Sequence, residues 1–324
     1  MTVLDYLYCF DKNYNIQAFT SIFSIAERSE KKANYYVLHN EPDSFKPLSE
    51  ELINHPKIAD INVIKFDKNE VEFPNLEKTH VSEATYFRLY LESYIPKSVN
   101  FLIYIDPDVI CLNNPEEVLI KEIANLKKTN FAIAAHTENI DENELKSMYS
   151  RLGMKNERYF NAGVMIVNFD FWSSKNYTKL LVKKMNTIFE DIVFWDQDVM
   201  NAQIDGEYLE LDESLNFTVP IDIKLYKQKI QPNKLDEIVF LHFAGKFKPW
   251  SVRGLFHPAA EFYQSNYRKL TSRKYHIVNN WKVLALKDLS KSIFTLKLLS
   301  LKHPLSFIYY VAEYLFRQNK KEGS

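Results

Sequence analysis

The sequence predicts an α/β protein in which helices flank a central sheet, and the order of the first five elements is the main reason. Three apolar runs, at residues 3–10, 34–39 and 60–66, are typical of buried strands. Between them, at residues 16–28 and 48–54, apolar residues recur with helical spacing. This strand–helix–strand–helix–strand order implies parallel strands joined by right-handed crossovers. Hydrophobic residues form 46% of the chain, which is enough for a sizeable core and argues against global disorder.

The same alternation continues through most of the remaining chain. A helix that starts with a serine is predicted over residues 82–94, and a strand follows at residues 99–105. Further strands are predicted at residues 130–135, 159–169 and 237–242, with helices over residues 177–191 and opening at residues 196–201. After about residue 265 the composition changes and becomes rich in lysine and leucine.

Two aspartates, Asp106 and Asp108, directly follow the strand at residues 99–105, with only Pro107 between them. In open α/β sheets, ligands bind at the carboxyl ends of the strands. Two carboxylates placed so close repel each other unless a cation lies between them, and Mg²⁺ or Mn²⁺ bound to a diphosphate is such a cation. The proline fixes its own φ angle and can hold the carboxylates at a set angle. A turn followed by a helix cap is the alternative, because aspartate is common at strand ends.

Several classes of protein are disfavoured by composition. The chain has six glycines and neither of the glycine-rich phosphate-binding motifs. Cys9 and Cys111 are too few for a disulfide framework or a zinc ribbon, so buried free thiols are expected. The N-terminus has no basic region and carries Asp5 in its apolar stretch, which predicts neither a signal peptide nor a membrane anchor. No known nucleic-acid reader motif is present.

The charge is unevenly spread along the chain, which suggests a separate role for the C-terminal region. Residues 269–324 carry 11 Lys/Arg against 3 Asp/Glu, a net charge of +8, whereas residues 1–268 carry −9. A helix with one apolar and one basic face is predicted over residues 281–299. The longest apolar piece, residues 304–312, is too short to span a bilayer, which takes about 20 residues. We expect the region to bind an anionic membrane surface; a helical subdomain packed on the body, or an oligomer contact, is the alternative.

Four separated blocks carry a resemblance to a known family. They are SEATYFRLYL at residues 82–91, YIDPDVICLNNPEEV at 104–118, YFNAGVMIVN at 159–168 with DQDVMN at 196–201, and HFAGKFKPW at 242–250. In this order and spacing the chain resembles glycosyltransferase family 8 over about residues 3–255. It is most similar to bacterial galactosyl- and glucosyltransferases that extend lipopolysaccharide or related surface glycans.

The resemblance implies a GT-A fold, a Rossmann-like mixed sheet flanked by helices. The catalytic domain would cover residues 1–265, and residues 266–324 would be a C-terminal helical, basic extension. The resemblance also implies a UDP-sugar donor, a divalent metal (usually Mn²⁺, with Mg²⁺ as the alternative) and retention of anomeric configuration. The metal ligands implied are Asp106, Asp108 and His242. For His242 alone, a histidine satisfied at a strand end is the alternative.

The resemblance assigns the remaining donor-site residues by motif. The uridine contacts implied are Asp11, Asn13 and Tyr14; the diphosphate contacts are Gly245 and Lys248; the donor-sugar contacts are Arg88, Asn161, Ala162, Gly163, Asp196 and Gln197. Ordinary surface positions are the alternatives for Arg88 and Lys248. Lys12 stands where relatives often carry a second aspartate, so the uridine contacts differ in detail. Glu138 stands where relatives have an aspartate, and the resemblance implies that it contacts the acceptor. Residues 138–158 are expected to form part of the wall of the acceptor site.

Gln197 bears on the mechanism, because the resemblance puts it near the β-face of the anomeric carbon. Retention by double displacement needs a carboxylate nucleophile, and an amide is a poor one. Front-face attack is therefore favoured, with the leaving UDP phosphate taking the acceptor proton. Asp198 lies close enough in sequence to be a rival nucleophile.

The function expected is metal-dependent, retaining transfer of galactose or glucose from a UDP-sugar to a surface glycan, at the cytoplasmic face of a bacterial plasma membrane. Within the enzyme class, the alternatives are another UDP-sugar such as an N-acetylhexosamine, and a protein or teichoic-type acceptor. A sugar-binding protein that kept the fold but lost catalysis is a further alternative. A nucleotidyltransferase is disfavoured, because the residues after the first strand, DKNY, form no glycine-rich loop. The sequence does not indicate an oligomeric state.

Overall fold

The computed structural model describes residues 3–68, 72–74, 82–219, 232–245, 248–278 and 283–321. The chain forms two compact units. The first comprises Met1–Phe217 and Glu237–Leu241, and the second comprises Thr218–Asp236 and His242–Ser324. The domain boundary predicted at residue 265 stays a prediction.

The order of strands and helices follows the predicted alternation in the first unit. The strands are β1 Leu4–Phe10, β2 Ala33–His39, β3 Ile58–Lys65, β4 Phe101–Ile105, β5 Val109–Cys111, β6 Ile133–Thr137, β7 Phe160–Asn168, β8 Leu209–Glu210, β9 Phe217–Thr218 and β10 Phe240–His242. The α-helices are α1 Asn15–Arg28, α2 Lys46–Leu52, α3 Glu116–Leu126, α4 Glu142–Leu152, α5 Phe169–Ser174, α6 Tyr177–Thr187, α7 Trp195–Ile204, α8 Pro232–Leu235, α9 Ala260–Leu270, α10 Val283–Phe294 and α11 Pro304–Lys321. Short 3₁₀ helices include Lys12–Tyr14, Glu83–Ser93, Phe189–Asp191 and Lys297–Ser300.

The main sheet has seven strands in the order β3–β2–β1–β4–β7–β6–β8. Strands β1 to β4 are parallel to one another, as the crossover pattern predicts. Strand β7 runs antiparallel to both β4 and β6, so the sheet is mixed rather than fully parallel. A second sheet contains three short strands in the order β5–β10–β9.

The core of the first unit lies on both faces of the main sheet. Strands β1 and β7 are buried along almost their whole length, which explains why they read as continuous apolar runs. Helix α1 packs its apolar face inward, with Phe19, Ile22 and Ile25 at 1% exposure or less. Burial of each such side chain contributes about 1.5–3 kcal/mol. The prediction of buried free thiols is confirmed for Cys9 and Cys111.

Three helix predictions differ from the structure. The helix predicted over residues 82–94 is the 3₁₀ helix Glu83–Ser93, which is kinked at Tyr90. The helix predicted over residues 177–191 ends at Thr187, and the 3₁₀ helix Phe189–Asp191 follows. The helix predicted over residues 281–299 ends at Phe294, and its first residues lie outside the described part of the chain. Leu296 then adopts φ 54°, which turns the chain.

The second unit has its own small apolar core, and this core explains the early end of α10. Leu289, Leu298 and Leu301 are each 9% exposed and pack in one cluster with Phe307, which has no exposed surface. In a straight helix through residue 299, Leu289 and Leu298 would be nine residues, or about two and a half turns, apart and would therefore lie on opposite faces. None of the helices in the described ranges is long and apolar enough to span a bilayer.

Candidate active site

Three predicted motifs meet at one edge of the main sheet. Strands β1 and β4 are parallel neighbours, with Leu7 opposite Tyr104, so the residues that follow both strands lie at the same edge. Strand β7 runs in the opposite direction and starts there, with Val164 opposite Ile105. A backbone hydrogen bond of 2.8 Å from the Asp106 N–H to the Gly163 carbonyl joins the two ends. This is the edge at which α/β sheets bind ligands.

The aspartate pair occupies the turn between β4 and β5. Asp106 and Asp108 present carboxylate oxygens within 4.8 Å of each other. Asp108 is 8% exposed, and the side chain of Asp106 is 23% exposed. Two largely buried carboxylates so close together disfavour each other's charge unless a cation lies nearby. Because both donors are hard oxygens, the pair fits Mg²⁺ or Mn²⁺.

Tyr104 holds one member of this pair, and the sequence analysis did not identify it. Its hydroxyl donates a 2.5 Å hydrogen bond to Asp106 Oδ1. Successive side chains of a strand alternate between faces, so residues 104 and 106 share a face. The two-residue spacing was the feature of the sequence that could have predicted this contact. Hydrogen-bond donors of this kind orient carboxylates that bind metals.

Arg88 lies in the 3₁₀ helix Glu83–Ser93 and is 4% exposed, so it is not an ordinary surface arginine. Its Nε lies 2.7 Å from Asp196 Oδ2, and its Nη2 lies 3.4 Å from Asp106 Oδ1. The same Nε donates to the carbonyl of Thr85 at 3.1 Å, and Nη1 donates to the carbonyl of Ala162. Burial opposes the charged form, but Asp196, and then Tyr104 and Asp106, outweigh it and raise the pKa of Arg88. The guanidinium therefore ties three motifs together as a permanent cation.

Asp196 is the buried partner of this arginine, at the start of α7. It is 3% exposed. Burial raises the pKa of Asp196 to about 7; Arg88 acts against this shift and Asp106 adds to it. The environment thus destabilises the carboxylate, and Arg88 is the main group that favours its charged form.

The predicted Asn161–Ala162–Gly163 motif opens β7, and neighbouring polar groups fix its orientation. Asn161 Nδ2 donates to Glu138 Oε1 at 2.6 Å, and its Oδ1 accepts from Gly163 N at 2.9 Å and from Asn216 Nδ2 at 3.0 Å. Gln197 Oε1 accepts from Ala162 N at 3.0 Å. Glu138 is therefore a direct partner of Asn161.

The loop after β1 holds the residues implied for uridine. Asp11 caps the 3₁₀ helix Lys12–Tyr14, since it accepts from Asn13 N at 2.8 Å. Ser82 Oγ donates to Asp11 Oδ2 at 2.6 Å, which links this loop to the start of the arginine-bearing helix. Burial, followed by the charge of Asp108, raises the pKa of the Tyr14 hydroxyl.

The remaining predicted residues belong to the second unit. His242 ends β10, is 5% exposed, and accepts a backbone hydrogen bond from Val219 N at 2.8 Å. Gly245 has φ +87°, a backbone conformation that is unfavourable for residues with a Cβ atom. Lys248 Nζ donates to the Phe243 carbonyl at 2.8 Å.

Asp198, the rival nucleophile, has no exposed surface. Both of its carboxylate oxygens accept hydrogen bonds from the protein, among them 2.7 Å from the Tyr159 hydroxyl and 2.8 Å from Arg151 Nη1. A carboxylate fully engaged in this way has no lone pair aimed at a ligand.

Comparison with known proteins identifies relatives over most of the chain. The model of the family described as Glycosyl transferase family 8 matches residues 6–253. A protein of Haemophilus influenzae is 29% identical over 250 residues, covering 76% of this chain and 73% of its own. A lipopolysaccharide 1,3-galactosyltransferase of Salmonella typhimurium is 26% identical over 266 residues, covering 79% and 75%.

A solved structure gives the fold. The galactosyltransferase LgtC, crystallised with donor and acceptor sugar analogues, superposes with a TM-score of 0.67 at 21% identity, covering 83% of this chain and 96% of that one. The chain accordingly has the GT-A fold with a C-terminal helical extension, as the sequence predicts.

Proposed function

The chain belongs to glycosyl transferase family 8, and from this premise we propose that it is a metal-dependent, retaining hexosyltransferase. That it is a glycosyltransferase follows from the family and the relatives. The observation that carries the finer proposal is the contact of Arg88 with both Asp106 and Asp196. This contact joins the proposed metal ligands to the proposed sugar-binding carboxylate in one buried cluster.

The metal would be held by Asp106, Asp108 and His242. Two carboxylates with one imidazole nitrogen suit Mn²⁺ better than Mg²⁺. When bound, the metal supplies positive charge that stabilises the departing diphosphate.

The donor would be a UDP-hexose, galactose or glucose, with uridine on Asp11, Asn13 and Tyr14. Gly245 allows a close approach of backbone to the diphosphate, and the Lys248 ammonium adds a point charge there. Support for these two hexoses comes from the galactosyl- and glucosyltransferases among the relatives. N-acetylhexosamine donors are the alternative.

Donor-sugar hydroxyls would bind Asp196, Arg88 and the motif at residues 161–163. Asp196 serves this role as an acceptor because Arg88 favours its charged form. With Asp198 enclosed and Asp196 paired, we infer front-face displacement. In that scheme Gln197 Oε1 faces the anomeric carbon, and the leaving phosphate accepts the proton of the attacking hydroxyl. The residues act by positioning and by charge stabilisation.

The acceptor would be a lipopolysaccharide-type surface glycan, with a protein or teichoic-type acceptor as the alternative. Glu138 is proposed as an acceptor contact, because its carboxylate lies 2.6 Å from Asn161 Nδ2 at the same edge.

The decisive experiment measures UDP release from a panel of UDP-sugars, with and without Mn²⁺, in the absence of acceptor. We expect slow hydrolysis of one UDP-hexose, abolished by EDTA and by Asp108→Asn. The matched control is Asp60→Asn, an exposed aspartate on β3 that bonds only its neighbours Ile61 and Asn62 among the contacts described. No hydrolysis, together with no calorimetric binding of UDP in Mn²⁺, would reject the proposal.

We further propose that the C-terminal extension, residues 266–324, binds an anionic lipid surface at the cytoplasmic face of the plasma membrane. Seven large apolar side chains here are at least 45% exposed: Ile293, Phe294, Leu296, Leu299, Leu305, Ile308 and Tyr309. Exposed lysines are interspersed with them, at Lys291, Lys297 and Lys302. Apolar anchors beside lysines suit anionic headgroups, where each basic residue contributes about 1 kcal/mol.

This membrane proposal is tested by flotation with vesicles that contain anionic or only zwitterionic lipid. Phe294→Ser with Leu299→Ser should abolish binding to the anionic vesicles. Ile53→Ser with Ile120→Ser, which removes exposed apolar residues from the first unit, should leave it unchanged. Equal flotation of both double variants would contradict the proposal.

A further inference from the structure

We propose that Arg151, Tyr159 and Asp198 form a buried network that positions Gln197 for glycosyl transfer. We call these three residues the Asp198 network. Arg151 and Tyr159 would then set the rate of transfer as positioning residues, without contacting the donor. This inference rests on the proposed function.

The carboxylate of Asp198 is the centre of the network. Its Oδ2 accepts from Arg151 Nη1 and from the backbone N–H groups of Val193 and Phe194, each at 2.8 Å. Its Oδ1 accepts from the Tyr159 hydroxyl at 2.7 Å and from Arg151 Nη2 at 3.4 Å. Five donors converge on an anion that has no exposed surface. Such full satisfaction makes this carboxylate an anchor for the surrounding elements.

The backbone held by Asp198 is strained at the start of α7. Trp195, the first residue of α7, has φ +48°, which is a genuine outlier for a bulky residue. A conformation of this kind costs about 1–3 kcal/mol and persists only where its surroundings enforce it. Asp198 binds the N–H groups of the two residues just before Trp195, so it holds the strained turn in place. The conformation of this turn determines where the side chains of Asp196 and Gln197 point.

Tyr159 and Ala162 connect the network to Gln197. The Tyr159 hydroxyl donates to Asp198, which follows Gln197 directly in the chain. The N–H of Ala162 can only donate, so the amide oxygen of Gln197 faces it, at 3.0 Å. The same short segment at the start of β7 therefore holds both the Asp198 carboxylate and the Gln197 amide.

Arg151 brings a third element into the network. It lies in the last turn of α4, 47 residues before Asp198, and its side chain is 21% exposed. Besides Asp198, it donates to the carbonyl of Asp191 at the end of the preceding 3₁₀ helix. The arginine therefore clamps both ends of the segment that leads into α7. Helix α4 lies in the region proposed as the acceptor wall, so this clamp ties that wall to Gln197.

The test compares Arg151→Met and Tyr159→Phe with a matched control, Arg268→Met. Arg268 also pairs with a carboxylate, Glu261, and donates to the Lys274 carbonyl at 3.3 Å, and none of its described contacts involves the network. We expect kcat to fall about tenfold or more in both network variants, while KM for the donor and UDP affinity change less than about twofold. The control should keep the kcat of the unaltered protein.

A double-variant comparison separates positioning from general damage. In a Gln197→Ala background, Arg151→Met should cause no further fall in kcat, because its effect acts through Gln197. Arg151→Lys, which keeps one charged donor, should recover part of the activity. Full kcat in Tyr159→Phe, or an undiminished effect of Arg151→Met without Gln197, overturns the inference. Tyr159→Phe removes a single oxygen, so it decides the question if Arg151→Met fails to fold.

The same assay distinguishes this inference from the proposed function. If the unaltered protein turns over no UDP-sugar and binds no UDP, the proposed function fails. If the unaltered protein is active and both network variants match it, only the inference fails.

Discussion

Removing one oxygen from Tyr104 tests whether the aspartate pair is a metal site. Tyr104 is 1% exposed, and Tyr104→Phe keeps the ring over which Arg88 lies, at 4.1 Å. What disappears is the 2.5 Å hydrogen bond to Asp106. Burial raises the pKa of the Tyr104 hydroxyl, so it stays protonated and able to donate throughout the neutral range.

The size of the effect follows from the charge of the acceptor. A hydrogen bond to a charged group contributes about 1.5–3 kcal/mol. Loss of a partner that orients a metal ligand typically weakens metal affinity about 10–100-fold. We therefore expect the Kd for Mn²⁺, measured by calorimetry at saturating UDP, to rise by about 10–100-fold. The Mn²⁺ concentration needed for half-maximal UDP release should rise in parallel.

Tyr8→Phe is the matched control. The Tyr8 hydroxyl is equally buried on the neighbouring strand β1 and bonds Ser21 at 2.9 Å, and within the described residues it has no hydrogen bond to a carboxylate. This variant should lose about 1 kcal/mol of stability and keep its Mn²⁺ affinity. An unchanged Kd in Tyr104→Phe, or an equal rise in both variants, would refute the assignment of Tyr104 as the residue that orients Asp106.

Three further predictions concern stability. Arg88→Met should destabilise the protein by about 3–5 kcal/mol at pH 8, because the ionised form of Asp196 then loses its buried cation. The loss should be smaller at pH 6, where Asp196 is already mostly protonated in the unaltered protein. Chemical denaturation at both pH values measures this, and equal losses would contradict it. Burial lowers the pKa of His276 from 6.5 to about 3, so the unfolded chain takes up a proton first and stability should fall by up to about 2 kcal/mol between pH 7.5 and pH 5. His276→Gln should make stability less dependent on pH over this range, and an unchanged pH dependence would contradict the role of His276. Gly254→Ala should lower the melting temperature, because a Cβ there would lie 2.0 Å from the carbonyl oxygen of Lys248; a fully stable variant would contradict that packing.

The sheet was the most predictable part of the molecule. Strands β1, β2 and β4 lie within one or two residues of the runs predicted for them, because each is a buried apolar run bounded by turn residues. Helix α4 was missed because it is rich in charged and polar residues and buries only Met148, Tyr149 and Leu152. The direction of β7 was not predictable from an apolar run alone.

The candidate site divides in the same way. The family motifs identified Asp106, Asp196 and Arg88 by residue type and position, and the structure brings these three side chains into contact. Nothing in the sequence pairs Arg151 with Asp198, since the two are 47 residues apart and belong to different helices.

The sequence by itself determined which chemical groups stand at the ends of the strands, because local hydrophobic patterning sets where each strand ends. Only the tertiary structure decided which of these groups touch. Arg88 becomes a buried cation between two carboxylates because the 3₁₀ helix that carries it packs against the sheet and α7. Asp198 becomes an anchor rather than an exposed nucleophile because donors from three elements converge on it. Burial and partners of this kind arise from contacts distant in sequence, and they set the charge and reactivity of a side chain.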